Sequence, residues 1–469
     1  MTAGLRPHWP LVATVAAAAV VRITVALTHR PALFIPDSWT YLMHAYSSPH
    51  FGGVRPVGYS LALRALSLIS GHSLLAVTTL QHLTGIATGV TVYALLIRRR
   101  VPRALATLAA GIALLEGYTI GLEQTILPEA FVAIAVFGSA YLLITSRRPS
   151  VLVLAGLLLA AAVTMRTAAA FMIPVWIAYA VYRLRRSLTL AAPVAGLVLA
   201  LVAFAAVNAE KTGHFGWTNS DGWFLYGRVG SIADCTKFSP PSGTRRLCES
   251  PGPSNRSPGY FVWDQRSPAN RAFGTTDAPG SSTLLRRFGL AVIRGRPLAY
   301  AELVSRDLLH YFELNALATP SDHVMTLRGQ PATAGPFFNS AVAARYFPGF
   351  RPRAHTYASA ARAYVSAIHF PGPLLALLLL APLALIPLRL RGRQLRHAAE
   401  VFLLTGGAAA MLVGATATSA FVVRYLMPTL PLFLAGAALA LADLRRPASP
   451  SSAEPNQRPD QDSNLGPTP

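Results

Sequence analysis

The sequence has few charged residues, and this scarcity excludes most classes of protein. Only 13% of its 469 residues are charged, whereas a soluble globular domain has about 25%. Hydrophobic residues make up 53% of the chain, so the chain has too little charge to cover a surface that faces water. Disorder over long stretches requires low hydrophobicity and is excluded as well. The composition therefore predicts a polytopic membrane protein.

Acidic residues and lysines are the scarcest charges. The chain has 19 Asp and Glu against 41 Lys and Arg, a formal net charge of +22. Lys211 and Lys237 are the only lysines. The arginines form short clusters between apolar segments, as in the cytoplasmic loops of membrane proteins. They do not form the long basic face that indicates nucleic-acid binding, so we expect no nucleic-acid partner.

Ten apolar segments have about the length that a helix needs to cross a bilayer. The fifth and sixth are short and also fit one bent pair around Arg166. The sequence predicts an all-α polytopic membrane protein of about ten transmembrane helices, at residues 9–28, 71–97, 103–122, 127–145, 151–165, 168–184, 188–207, 370–388, 398–419 and 425–443.

The arginine clusters also predict the orientation. With the N-terminus inside, every short cluster lies in the cytoplasm, and the C-terminus does too. The first span has Arg22 within its apolar run and no clear cleavage site, so we expect no cleavable signal peptide. We predict a multi-pass plasma-membrane protein with helices 1–7 in residues 1–207, a first outer loop at 29–70, an extracytoplasmic segment at 208–367, helices 8–10 in 368–446 and a disordered cytoplasmic tail at 447–469.

The extracytoplasmic segment carries two further signals. Cys235 and Cys248 are the only cysteines, and an oxidising compartment favours a disulfide between them; two free thiols are the alternative. Residues 283–315 have apolar positions near a helical period, and Pro297 predicts a break into two helices.

Residues 1–207 contain only four carboxylates, at Asp37, Glu116, Glu123 and Glu129. The predicted topology places all four at the outer membrane face. Ionisable groups near hydrocarbon are costly and are usually functional. We interpret Asp37, Glu129 and Glu123 as candidate catalytic acids, and Glu116 as a candidate or a structural partner of an arginine. The alternative for all four is contact with outer water or with nearby arginines.

Basic and aromatic side chains gather on the same side. Arginine binds phosphate through two parallel hydrogen bonds and stays charged at a membrane boundary. Snorkelling or pairing with carboxylates is the alternative for the arginines, and an interfacial belt is the alternative for the tyrosines. The candidates for substrate binding are Arg55, Tyr59, Arg166, Arg424, Tyr41 and Tyr425. Acids and arginines on one face suit a reaction with a lipid-linked phosphate, because the phosphate needs cations and an incoming hydroxyl needs a base.

These motifs resemble those of the GT-C superfamily of integral-membrane glycosyltransferases. The similarity extends over about residues 5–445 and is closest to the bacterial protein O-mannosyltransferase and aminoarabinose-transferase branch. Its motifs are Pro36-Asp37-Ser38-x-x-Tyr41, Arg55-Pro56-x-Gly58-Tyr59, Glu123-x-x-x-x-Pro128-Glu129, Met165-Arg166-Thr167 and Arg424-Tyr425-x-x-Pro428.

The resemblance implies a transferase that uses a sugar on a polyprenyl phosphate and an acceptor hydroxyl on a protein, lipid or glycan. It implies inverting transfer with Asp37 as the base, and Arg166, Arg424 or Arg55 on the departing phosphate. Glu129, helped by Glu123, would bind sugar hydroxyls or the acceptor. Many members have two adjacent acids in the first loop, whereas Asp37 is followed by Ser38. We therefore expect no metal cofactor. The spacing of His44 and His50 from Asp37 also fits no recognised ligand pattern.

Two other classes of function remain open. A transporter or lipid flippase would place polar residues near the bilayer midplane and usually has internal repeats, which this sequence lacks. A noncatalytic cell-envelope assembly protein would use the extracytoplasmic segment to bind its partner.

Overall fold

The computed structural model describes residues 8–47, 51, 53–185, 188–248, 256–276, 278–314, 316, 327, 340–347, 353–354, 358–390 and 395–445. These residues are almost entirely helical, which confirms the predicted all-α class. The tail predicted at 447–469 lies outside the described residues.

The first half of the chain is a series of apolar helices joined by short turns, with one two-residue strand. Its elements are α1 (Trp9–Thr28), β1 (His29–Arg30), α2 (Pro36–Tyr46), α3 (Gly58–Ser70), α4 (Leu74–Arg98), α5 (Arg103–Leu115), α6 (Gly117–Gln124), α7 (Glu129–Thr145), α8 (Pro149–Met165), a 3-10 turn (Thr167–Met172) that leads into α9 (Ile173–Leu184), and α10 (Ala191–Thr212).

The second half begins with shorter helices and returns to apolar ones. The predicted break at Pro297 is confirmed, because α14 ends and α15 begins there. Its elements are α11 (Asp221–Val229), α12 (Pro258–Trp263), α13 (Pro268–Phe273), α14 (Ser281–Gly295), α15 (Pro297–His310), α16 (Ser340–Tyr346), β2 (Arg353–Ala354), α17 (Ala358–Ala367), α18 (Gly372–Leu383), α19 (Leu385–Leu390), α20 (Ala398–Val401), a π turn (Phe402–Gly406), α21 (Gly407–Thr418) and α22 (Leu430–Leu444).

The prediction of ten spans is wrong, because the count is lower. Among the described residues, six helices are long and apolar enough to cross a membrane, and eight if each of two bent pairs is one span. The six are Trp9–Thr28, Leu74–Arg98, Thr167–Leu184, Ala191–Thr212, Ala398–Thr418 and Val423–Leu444. The bent pairs are Arg103–Leu115 with Gly117–Gln124, and Ala358–Ala367 with Gly372–Leu388.

Two local features explain the lower count. Helices α7 and α8 have 17 residues each, which gives a length of about 26 Å against a hydrocarbon core of about 30 Å. The third predicted span bends by 43° at Glu116. The Glu116 carboxylate caps α6 by accepting hydrogen bonds from the backbone N–H groups of Tyr118 and Thr119. Glu116 is thus the N-cap of a new helix, as a side-chain acceptor at that position favours.

Side chains outside the main apolar core form a second core within the predicted extracytoplasmic segment. It contains the aromatic residues Trp223, Tyr226, Phe261 and Phe288, all fully buried. Cys235 and Cys248 form a disulfide at its edge. This core holds α11 against α14, so the segment has a packed interior of its own.

Short backbone contacts hold the chain before α2 against the turn between α6 and α7. The Leu33 N–H donates to the Gln124 carbonyl at 2.9 Å, and the Ile126 N–H donates to the Leu33 carbonyl at 3.2 Å. Strand β1 also pairs antiparallel with β2, His29 opposite Ala354. These contacts bring the start of α2 beside the start of α7, where two of the predicted acids lie.

Candidate active site

Asp37 lies in the first turn of α2. Pro36 takes the first helical position, where its missing N–H costs nothing, and the Ser38 hydroxyl accepts a hydrogen bond from the Ile35 N–H at 3.0 Å. A helix N-terminus also favours a negative charge. The carboxylate is held by two guanidinium groups, with Arg55 Nη2 2.7 Å from Oδ1 and Arg424 Nη2 2.8 Å from Oδ2.

Glu129 is the first residue of α7 and faces the same arginines. Its Oε1 lies 3.1 Å from Arg166 Nη1 and 3.9 Å from Arg424 Nε. Arg424 therefore bridges the two carboxylates. The fold thus brings together five of the predicted site residues from positions that are as much as 387 residues apart.

The five side chains carry an excess of positive charge in a buried place. Two carboxylates face three guanidinium groups, and each of the five side chains is at most 15% exposed. Burial raises the pKa of Asp37, but Arg55, Arg424 and Arg166 outweigh burial and hold this pKa well below its usual range. The cluster therefore has a net charge of about +1 and attracts an additional anion.

Several hydrogen-bond donors of this cluster are unused. Arg424 Nη1, Arg166 Nη2 and the Tyr41 hydroxyl are buried and make no hydrogen bond to the part of the chain that the structure describes. Buried donors normally have partners. Unused donors on two arginines fit a ligand with several acceptor oxygens, such as a phosphate.

A cavity of about 560 Å³ opens beside two of these three residues, Arg166 and Tyr41. Arg55, Arg166, Tyr41 and Tyr425 lie at its polar end. Its remaining wall is mostly apolar and includes side chains from α11 and α14. A cavity with a cationic end and an apolar wall matches a ligand that joins a charged head to an apolar tail.

Aromatic rings hold two of the arginines in place. The Arg55 guanidinium lies 5.3 Å from the ring centroid of Phe224 and 5.8 Å from that of Trp263. The Arg166 guanidinium lies 4.9 Å from the ring of Tyr425. Such contacts stabilise a cation by about 0.5–2 kcal/mol, so the tyrosine predicted as a substrate contact also supports an arginine.

Tyr59 lies behind the cluster. Its hydroxyl donates to Gln81 Oε1 at 2.6 Å, and its ring contacts that of Tyr41 edge-on at 5.0 Å between centroids. Gly58 lets α3 approach α8 closely, because a Cβ there would lie 2.5 Å from the Thr164 carbonyl oxygen. The predicted motif around Tyr59 therefore packs α3 next to Arg166.

Glu123 is not in contact with this cluster. Its carboxylate forms a two-bonded ion pair with Arg22, 2.8 Å at each oxygen, and lies 2.8 Å from His82 Nδ1. This is the arginine pairing that the sequence left open as an alternative. Glu123 and Glu129 also line a separate cavity of about 30 Å³.

Glu116 also lies outside the cluster, and the histidines considered as metal ligands do not form a metal site among the described residues. The Glu116 carboxylate also accepts a hydrogen bond from the Phe370 N–H at 3.0 Å, which joins the bent third span to the start of α18. No three His, Cys, Asp or Glu side chains among the described residues lie together as a metal site does. His50 lies outside those residues.

Sequence reasoning missed the contribution of α11 and α14 to this site. Phe224, Leu225 and Leu290 line the cavity, and Asp221 and Arg286 lie at its edge with their charged atoms 3.5 Å apart. No local pattern distinguishes these residues from others in the segment. Their position follows only from the packing of α11 and α14 against the membrane helices.

Comparison with known proteins supports the predicted superfamily. Residues 54–209 match the family model described as dolichyl-phosphate-mannose-protein mannosyltransferase. The match confirms the predicted GT-C resemblance and covers about a third of the chain. It contains Arg55, Glu129 and Arg166, whereas Asp37 and Arg424 lie outside it. No curated protein sequence matches the chain.

Two solved structures are also similar to the chain. One is the archaeal oligosaccharyltransferase AglB from Archaeoglobus fulgidus in complex with an inhibitory peptide and a dolichol-phosphate, at 13% identity and a TM-score of 0.39 over 93% of this chain and 50% of that one. The other is the apo form of the Archaeoglobus fulgidus oligosaccharyltransferase, at 16% identity and a TM-score of 0.40 over 92% and 50%. The chain spans half the length of these proteins, and likeness at this level carries no conclusion about function.

Proposed function

We propose that this chain, which matches the GT-C membrane glycosyltransferases, transfers a sugar from a polyprenyl-phosphate donor to an acceptor hydroxyl at the extracytoplasmic face. One observation carries the proposal. Two carboxylates and three arginines form one cluster, two of these arginines (Arg55 and Arg166) line a largely apolar cavity, and donors on Arg166 and Arg424 are unused. A phosphodiester with an isoprenoid tail has the charge and the shape for that cavity.

Asp37 is proposed to act as the base in a single displacement. The acceptor oxygen forms a bond to the anomeric carbon, and the bond from that carbon to the phosphate oxygen breaks. The electron pair of the broken bond leaves with the polyprenyl phosphate, and the hydroxyl proton passes to the Asp37 carboxylate. Attack opposite the leaving group inverts the anomeric carbon.

The arginines have two successive roles in this proposal. Before the donor binds, they pair with Asp37 and Glu129, which keeps Asp37 a weak base because its pKa is low. The donor phosphate brings a negative charge to the cluster and shares the arginines. This charge raises the pKa of Asp37, so the base becomes stronger only when the donor is present.

We assign supporting roles to the two glutamates. Glu129 orients Arg166 and Arg424 and lies close enough to the cluster to bind a sugar hydroxyl. Glu123 was predicted to share this task, and its ion pair with Arg22 favours an indirect contribution through the position of α6. The family description suggests mannose as the sugar and a protein as the acceptor.

Sugar transfer by the full chain in lipid nanodiscs tests the proposal. Radiolabelled polyprenyl-phosphate sugars are offered with a membrane extract as acceptor, and wild type is compared with Asp37→Asn. We expect the wild type to transfer label and Asp37→Asn to be about 100-fold slower or worse, as for loss of a general base. Both proteins should show the same unfolding midpoint.

Asp264→Asn is the matched control. Asp264 lies in the same predicted segment as the second core and pairs at the surface with Arg266, 2.8 Å away. An exposed pair contributes about 0–1 kcal/mol, so this variant should transfer label as the wild type does. Normal turnover by Asp37→Asn would show that Asp37 is not the base. No transfer from any donor by folded wild type would refute the transferase itself.

A further inference from the structure

The backbone that carries Arg424 is held by one face of α15. The Asp307 carboxylate accepts a hydrogen bond from the Phe421 N–H at 3.3 Å. The Tyr311 hydroxyl donates to the Val422 carbonyl at 3.0 Å, and the Tyr300 hydroxyl donates to the Ala417 carbonyl at 2.8 Å. Positions 300, 307 and 311 share one side of the helix and its end. They contact the connection that immediately precedes Arg424.

A buried arginine fixes Asp307. Arg228 on α11 is 1% exposed and forms an ion pair with the Asp307 carboxylate. Removing either partner of such a pair leaves a buried charge without compensation. Four residues earlier on α11, Phe224 lies against Arg55. Helix α11 therefore contacts Arg55 through Phe224 and, through Arg228 and Asp307, the backbone three residues before Arg424.

We infer that Asp307 is a positioning residue for the phosphate site, and this inference rests on the proposed function. Asp307, supported by Arg228 and Tyr311, sets the backbone of residues 417–425 so that Arg424 reaches Asp37 and the donor phosphate. Asp307 lies outside the reacting cluster and acts only through Arg424. Helix α11 thereby influences the affinity for the donor through Arg228 and also forms part of the cavity wall.

Two variants loosen this contact without leaving a hole in the protein. Tyr311→Phe removes one hydroxyl and introduces no unpaired charge. Asp307→Asn keeps an acceptor for the Phe421 N–H but leaves the buried Arg228 without its countercharge, so Tyr311→Phe alone decides the test if Asp307→Asn does not fold. Glu302→Gln is the matched control, because Glu302 lies on the same helix in an exposed pair with Arg306 at 2.9 Å.

The first measurement needs no donor. Hydrogen exchange of residues 417–425 is followed in the full chain in nanodiscs. We expect faster exchange in Tyr311→Phe and Asp307→Asn, and wild-type exchange in Glu302→Gln. Unchanged exchange in both variants would overturn the inference, whatever the protein does with donors.

The second measurement is the affinity for undecaprenyl phosphate, used as the probe. We expect the Kd to rise about tenfold in Tyr311→Phe and in Asp307→Asn, and to stay unchanged in Glu302→Gln. In an Arg424→Gln background, Asp307→Asn should add nothing, because both changes act through the same guanidinium. Full additivity of the two changes would show that Asp307 acts elsewhere and would overturn the inference.

The two failures are distinguishable. Wild type that folds but does not bind undecaprenyl phosphate refutes the proposed function. In that case faster exchange in the two variants still establishes that Asp307 and Tyr311 position the Arg424 segment.

Discussion

Removal of the Glu123 carboxylate should destabilise the protein far more than removal of the whole ion pair. Glu123 and Arg22 make two hydrogen bonds of 2.8 Å, and their side chains are 0% and 3% exposed. Glu123→Ala leaves the Arg22 guanidinium charged in an apolar interior. Breaking a buried pair in this way costs about 3–5 kcal/mol of folding free energy.

The double variant Arg22→Met, Glu123→Met removes both charges and keeps side chains of similar size, so it distinguishes the effect of charge from that of packing. Apolar residues of similar size often replace a buried pair at no cost. His82 then loses the carboxylate partner that now lies 2.8 Å from its Nδ1, a loss of about 1 kcal/mol. We therefore expect the double variant to lie within about 2 kcal/mol of wild type.

The free energy of unfolding is measured by denaturant titration in mixed micelles for wild type, Glu123→Ala, the single variants Arg22→Met and Glu123→Met, and the double variant. The double variant should be more stable than Glu123→Ala. If the losses of unfolding free energy in the two single variants add up to the loss in the double variant, Arg22 and Glu123 do not stabilise each other as their geometry indicates. Label transfer by the folded double variant then addresses the chemistry. Near-normal transfer would support an indirect role for Glu123. Loss of transfer without loss of stability would show that Glu123 takes part in catalysis.

Three further outcomes follow from the structure. Arg55→Gln removes one of the cations that lower the pKa of Asp37, so this pKa rises toward its usual value of about 3.9. As the pH is lowered, kcat/KM, which reports the free enzyme, should therefore begin to decline at a higher pH in Arg55→Gln than in wild type, and identical profiles would contradict this account. Replacing Cys235 and Cys248 by serine should lower the stability of the second core by about 3 kcal/mol, measured as the loss of protection from proteolysis under oxidising conditions. Gly58→Ala places a Cβ 2.5 Å from a backbone carbonyl oxygen of α8, so it should lower the unfolding midpoint, whereas a wild-type midpoint would show that α3 and α8 can separate at little cost.

Much of the fold could be predicted because its signals are local. All ten apolar segments are helical, and Pro297 separates two helices where its missing N–H predicts a break. The predicted number of spans was too high because it was based on the length of apolar segments and not on the residues at which helices begin and end. Helices α7 and α8 have only 17 residues each, and the Glu116 carboxylate caps a new helix within the predicted span 103–122.

The candidate site was predictable in its residue types and only partly in its partners. Scarcity marked Asp37 and Glu129, since a membrane protein with so few acids places them where they are needed. The same scarcity marked Glu123, whose surroundings differ. Scarcity cannot distinguish the two glutamates, because both belong to the same sequence motif, although Glu123 lies near the end of α6 and Glu129 begins α7.

The sequence by itself determined the chemistry that is available: apolar helices, arginines that stay charged, and a handful of carboxylates. Hydropathy and helical period depend only on neighbours along the chain, so the sequence alone is enough to predict them. Only the tertiary structure decided which charges meet. Arg424 reaches Asp37 across 387 positions, and Asp307 holds the backbone that makes this contact. Such pairings depend on how helices pack against one another, and packing is a property of the whole surface of each helix, which no single motif records.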